Sequence, residues 1–133
     1  MTPNGYPVEI HRAVVESDLT VYVNSGISLG FSGGWKSVCV GLSTWRSIKT
    51  THHPDGMSMS VRNNRMHRVL DEMGAHLETK LGRNIFKVEM ILADAERVAH
   101  VWAGSVAATR PRALEIMAAA NPPRGHRPTR SMS

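Results

Sequence analysis

Leu19-Thr20-Val21-Tyr22-Val23, passing through Asn24-Ser25-Gly26 into Gly30-Phe31-Ser32-Gly33-Gly34-Trp35-Lys36-Ser37, is the stretch whose reading decides the fold. Its β-branched and aromatic opening, bounded by Asp18 and by Asn24-Ser25-Gly26, predicts a strand. The three glycines that follow permit positive φ and a close backbone approach, and such loops can turn N–H groups toward an anion. After Lys36, apolar residues at Val38, Leu42, Trp45 and Ile48 have helical spacing, so a helix is expected over 37–48 with Gly41 as its weak point. Strand, glycine loop and helix together would place a ligand at a helix N-terminus. His52-His53-Pro54-Asp55-Gly56 then breaks the helix, because a residue before proline is pushed out of the α region, and leaves the histidines on a loop or a frayed last turn.

Working outward, residues 1–7 read as an irregular lead-in and residues 9–16 as a short helix. Residues 57–64 are polar and carry no clear period. A helix is predicted over 66–80 from the stripe Met66, Val69, Leu70, Met73 and Leu77, with Gly82 as its C-terminal stop. Residues 85–92 and 98–103 read as strands joined by a link of hairpin length, and 106–120 as a last helix in which Pro111 either interrupts or lies in a late first turn. The expected architecture is α/β: a small, largely parallel sheet with flanking helices, a Rossmann-like partial domain over residues 1–120. Residues 121–133 have the composition of a basic disordered tail.

A chain of 133 residues, 41% hydrophobic and 20% charged, suits one globular domain. It carries no apolar run of the ~20 residues that span a bilayer. The first residues lack the basic and apolar regions of a signal peptide, so a soluble cytoplasmic protein is expected. The one cysteine, Cys39, excludes an intrachain disulfide and a CxxC metal site and reads as a small buried hydrophobe. The net charge of +5 would suit nucleic acid, but Arg124, Arg127 and Arg130 lie in an acid-free tail, and +5 less these three leaves only +2 elsewhere. Nucleic acid is therefore disfavoured as a partner.

Gly30 and Lys36-Ser37 occupy positions of a P-loop, but Trp35 stands where that motif needs glycine before the lysine. The dinucleotide fingerprint is absent. His52, His53 and Cys39 lack the paired spacings of a zinc site, and adjacent histidines tend to point apart. From composition alone, His52-His53 is an exposed polar loop, and His11, His67, His76 and His100 are surface or packed residues of regular elements. Two readings stay open at this level: a noncovalent anion or nucleotide-binding module using the glycine loop, and a reactive lysine whose amine is activated by burial.

Gly5-x-Pro7-Val8, Val15-Glu16-Ser17-Asp18-Leu19, the Gly30-Phe31-Ser32-Gly33-Gly34-x-Lys36-Ser37 loop, Gly41 and a histidine sixteen residues past the lysine resemble the nickel-pincer lactate racemase family. Val61-Arg62-Asn63-Asn64, the strand at 85–92 and Val101-Trp102-Ala103-Gly104 before an alanine-rich helix are similar to its following segment. The likeness runs from about Gly5 to Ala120 and corresponds to the middle of the family's catalytic N-terminal domain.

The resemblance implies an isomerase acting on a small α-hydroxy acid by transient hydride transfer. Its cofactor would be a nickel pyridinium thioamide/thiocarboxylate mononucleotide, joined covalently to Lys36. His52 would complete a roughly square-planar nickel, a geometry and ligand type that suit Ni(II). Gly30, Ser32, Gly33 and Gly34 would approach the nucleotide. The family also uses a histidine ten residues before the lysine as a base, and here that position is Gly26. A second base and a substrate-binding arginine belong to upstream sequence, so a complementary chain carrying the rest of the catalytic domain is implied as partner. A single straight helix from Lys36 to His52 would hold them about 24 Å apart, so a break near Gly41 or Pro54 is required.

Overall fold

The computed structural model describes residues 1–26, 33–54 and 64–120. Its framework is a three-stranded sheet in the order β1-β2-β3: β1 (Val21–Gly26), β2 (Phe86–Leu92) and β3 (Val98–Ser105). β1 runs parallel to β2, from Val21 opposite Phe86 to Gly26 opposite Ile91, while β2 and β3 form an antiparallel pair with an irregularity between Ile91 and Leu92. The α/β class is as expected and the sheet is mixed. β1 begins and ends later than propensity suggested: Asn24-Ser25-Gly26 pairs with Glu89, Met90 and Ile91 instead of turning. Ladder hydrogen bonds outweigh the weak strand propensity of these residues.

The stripe predicted on the long helix is the centre of the core. In α4 (Arg65–Leu81), Met66, Val69, Leu70, Met73 and Leu77 are all buried. They pack with Trp35, Val14 of α1 (Arg12–Glu16), Val38 and Cys39 of α2 (Lys36–Cys39), Ile85, and Val106 of α5 (Val106–Ala120). Burying each large aliphatic side chain stabilises the fold by about 1.5–3 kcal/mol. Asn64 caps α4 by accepting from the His67 N–H, and Gly82 ends it at φ 67°. α5 runs through Pro111 without a stop, and Trp102 Nε1 of β3 donates to its Thr109 carbonyl at 3.2 Å.

The helix expected over 37–48 is two short ones, α2 and α3 (Trp45–Ile48). The segment between them is captured by the N-terminal lead-in: the His11 N–H donates to the Leu42 carbonyl at 2.7 Å, the Thr44 N–H to the Glu9 carbonyl at 3.2 Å, and Ile10 bridges Ser43. Ser43 Oγ donates back to the Cys39 carbonyl at 2.6 Å, a local bond that competes with helix continuation. The same pairing shortens the first helix to Arg12–Glu16, and it leaves Leu42 and Trp45 exposed instead of on a buried stripe.

Register assigns the two faces of the sheet. Tyr22, Asn24, Lys87, Glu89 and Trp102 lie on the face that meets the described helices, and Val21, Val23, Phe86 and Val101 lie on the other. Those four apolar residues are 42–63% exposed. Among the described residues no helix is long and apolar enough to cross a membrane.

Candidate functional site

Lys36 opens α2 where the glycine loop ends. Gly33 (φ 83°) and Gly34 (φ 59°) take the left-handed conformations that only glycine adopts without strain, and the Lys36 N–H closes the turn on the Gly33 carbonyl at 3.3 Å. Gly30 and Ser32 lie outside the described residues. A cleft of about 260 Å³ is lined by Asn24, Gly33, Lys36, Ser37, Val40 and Gly41. Lys36 is half-buried there, and desolvation holds its amine below the ordinary lysine range. A lowered amine pKa raises the fraction available as a nucleophile at neutral pH. α2 has only four residues, so it adds little dipole to an anion site, contrary to the expectation of a ligand at a helix N-terminus.

The glycines also serve the protein interior. A Cβ on Gly33 would lie 2.7 Å from Arg110 Nη1, and one on Gly34 would lie 3.2 Å from His67 Nδ1. The loop exit thus rests on buried polar side chains, which the strand pattern did not reveal. Lys87 and Glu89 are both fully buried and ion-paired on the inner face of β2. Asn24 Nδ2 donates to Glu89 Oε1 at 2.8 Å, and the Tyr22 hydroxyl donates to the Gly34 carbonyl at 2.5 Å. Burial depresses the Lys87 amine and pushes the Tyr22 phenol well above its usual range, with the Glu89 charge adding to the Tyr22 shift. Arg110 of α5, also buried, faces Asp71 and Glu89 electrostatically. In Phe86-Lys87-Val88-Glu89-Met90 either alternating set fits a strand, and polarity alone selects the wrong one for the inside.

Trp35, which breaks the P-loop pattern, is an anchor. Its ring is buried over Gly74 of α4, where an added Cβ would lie 2.1 Å from ring carbons. This contact seats the backbone immediately before Lys36.

His52 follows α3 and is exposed, as is His53. The His52 Nδ1 lies 3.1 Å from the Ile48 carbonyl and 3.0 Å from Thr51 Oγ1, while Thr51 Oγ1 itself donates to that carbonyl at 2.8 Å. Nδ1 is thus within hydrogen-bond reach of both groups, and in the tautomer that donates from Nδ1 to the Ile48 carbonyl the Nε2 lone pair is the one left for another partner. This is how metal-ligating histidines are commonly oriented. His52 is not among the residues that line the cleft, but the break between α2 and α3 removes the 16-residue rod that would have held it away from Lys36. Among the described residues no group of three or more His, Cys, Asp or Glu side chains could hold a metal ion. A larger cleft of about 370 Å³, lined among others by Val8, Ile10, His76, Leu77 and Lys80, shares no residue with the first.

Comparison with known proteins bears on the family and the fold of the chain. The chain is 27% identical over 111 residues to lactate racemase of Thermoanaerobacterium thermosaccharolyticum, a span covering 77% of this chain and 25% of the racemase. The apoprotein structure of the racemase from that organism superposes with a TM-score of 0.66 at 24% identity, covering 87% of this chain and 29% of the racemase. A Thermotoga maritima protein of known structure gives 0.62 at 17% identity, with 83% and 30% covered. These structural likenesses show the shared fold. The chain spans about a quarter of the length of the curated relative it matches. The family model for the lactate racemase N-terminal domain matches residues 1–67, just over half of the 133, and includes the glycine loop, Lys36 and His52: the chain belongs to that family.

Proposed function

We propose that residues 1–120 form a segment of a lactate-racemase-like catalytic domain that anchors a nickel-pincer nucleotide through Lys36 and His52, and that residues 121–133 are a basic tail. The observation that carries this reading is the half-buried Lys36 amine, lowered by desolvation, at a cleft next to the glycine loop. The donor set fits the group. A lysine amine can form the thioamide link, and a single imidazole with Nδ1 already engaged offers Nε2 to a metal whose other ligands the nucleotide brings. When bound, that group supplies a hydride acceptor for racemisation of a small α-hydroxy acid.

The chain's own contribution is to hold and orient. Lys36 fixes one end of the group, His52 meets the metal, and Gly33 and Gly34 keep the loop close. Proton transfer is not supplied by the end of β1: Gly26 has no side chain, and a Cβ there would meet Ile91 Cδ1 at 2.7 Å. A complementary polypeptide carrying the remaining bases and the substrate-binding arginine is part of the proposal. The exposed Val21, Val23, Phe86 and Val101 support it, because they give this face of the mixed sheet four large or branched apolar side chains left open to solvent among the described residues.

Intact-mass measurement after co-expression with the cofactor's biosynthetic enzymes tests the reading. An adduct that disappears in Lys36→Ala is expected, and no adduct, or one indifferent to Lys36→Ala, refutes it. Titration of the metal-free protein with mononucleotides separates the alternative of a noncovalent nucleotide-binding module, which would bind them without forming an adduct.

A further inference from the structure

Lys36 is held on both sides by one buried ion pair. Two residues before it, the Gly34 carbonyl accepts from Lys87 Nζ at 3.4 Å as well as from Tyr22. One residue after it, Ser37 Oγ donates to Asn24 Oδ1 at 3.3 Å, and Asn24 Nδ2 donates to Glu89 Oε1 at 2.8 Å. Lys87 and Glu89 are two residues apart on β2, pair with each other, and are fully excluded from solvent. The contacts that bracket Lys36 therefore converge on a single pair of opposite charges.

Stability alone gives little reason to keep such a pair. Desolvating two charges is costly, and apolar side chains of similar volume often hold a fold equally well or better. Val88 and Met90 next door show that β2 carries apolar residues readily. What apolar side chains cannot do is donate to the Gly34 carbonyl and accept from Asn24.

We propose that Lys87 and Glu89 are positioning residues: they fix the backbone at Gly34 and, through Asn24, at Ser37, so that the Lys36 amine is presented to its cleft in one orientation. The proposal rests on Lys36 being the attachment point, but its test does not require the cofactor. The full chain is treated with trace acetic anhydride across a pH series, and acetylation of Lys36 is measured by peptide mass spectrometry relative to exposed Lys80 of α4.

In the wild type the Lys36 profile is expected to have its midpoint below the ordinary lysine range. In Ser37→Ala and in the apolar replacement Lys87→Met/Glu89→Leu, with folding checked by far-UV circular dichroism, the Lys36 to Lys80 ratio should change by about threefold or more, as for a half-unit displacement of the amine's titration. The midpoint should move with it, and Ser37→Thr, which keeps the hydroxyl, should restore the wild-type profile. A ratio and midpoint unchanged in folded variants overturn the proposal. Ser37→Ala decides the matter if the double variant does not fold. Absence of a cofactor adduct would refute the proposed function while leaving this result standing, so the two failures are distinguishable.

Discussion

Gly74→Ala should destabilise this protein even though alanine is the better helix former. Gly74 lies inside α4, where replacing glycine by alanine ordinarily gains about 1 kcal/mol. Here the new Cβ would start 2.1 Å from Trp35 Cδ2 and Cε2 and 2.4 Å from Nε1, while relaxed carbon contacts lie near ~3.5–4.0 Å. The indole must therefore move by about 1.5 Å, and overpacking of this kind costs about 1–3 kcal/mol. The ring has little freedom to yield, since the Trp35 carbonyl accepts from Val38 and Cys39 and the Gly34 carbonyl is held by Tyr22. A net loss of about 1–2 kcal/mol is expected, the steric cost exceeding the propensity gain. In a Trp35→Leu background the obstruction is gone, and Gly74→Ala should stabilise by about 1 kcal/mol. The assay is urea unfolding followed by far-UV circular dichroism with linear extrapolation, run as a double-mutant cycle. Stabilisation by Gly74→Ala in the wild-type background, or the same sign in both backgrounds, would refute the packing argument. Because Trp35 precedes Lys36, the same substitution should also alter the Lys36 acetylation ratio.

Further outcomes follow from the same contacts. Gly33→Ala and Gly82→Ala both place a side chain at positive φ, which costs about 1–2 kcal/mol. Only Gly33 also meets Arg110 at 2.7 Å, so its loss in urea unfolding should be clearly the larger, and equal losses would remove Arg110 from the account. Asn64→Ala removes the acceptor for the His67 N–H and should cost about 1 kcal/mol, with Asn64→Asp recovering most of it; a neutral Asn64→Ala would show that the cap is idle. Burial pushes the Cys39 thiol from 9.0 up to about 12, so a thiol reagent at pH 8 should label native protein only as fast as it opens. The folded value is the raised one, so this contribution is intact below pH 9.0 and is lost toward about pH 12, at up to ~1.4 kcal/mol per pH unit. Tyr22 acts in the same direction above pH 10.0, and the depressed Lys87 opposes it up to pH 10.5. Cys39→Ala should therefore flatten the fall in stability between pH 9 and 11, and an unchanged slope would count against burial of the thiol.

Local pattern was enough wherever one rule acted alone. The stripe on α4, its glycine stop, the hairpin of β2 and β3 and the last helix were legible because apolar period, capping chemistry and chain length agreed. The glycine loop, Lys36 and the histidine sixteen residues on were legible as a motif, and they led to the family. Where two segments compete for the same backbone groups, sequence marked Gly41 as the weak point of the predicted helix but not what breaks it: the lead-in at Glu9 to His11 takes the partners at Leu42 to Thr44 and cuts the helix in two.

Most of the element order is thus legible in sequence alone, through period and turn chemistry, and the family motif singles out Lys36 and His52 as candidates. The tertiary structure decided what lies beneath them. An alternating strand has two faces of equal standing, and only pairing of β1 with β2 in one register turns Lys87 and Glu89 inward with Tyr22 and Asn24. That long-range choice sets a buried ion pair under the turn that carries Lys36, and no local property of Phe86-Lys87-Val88-Glu89-Met90 encodes it.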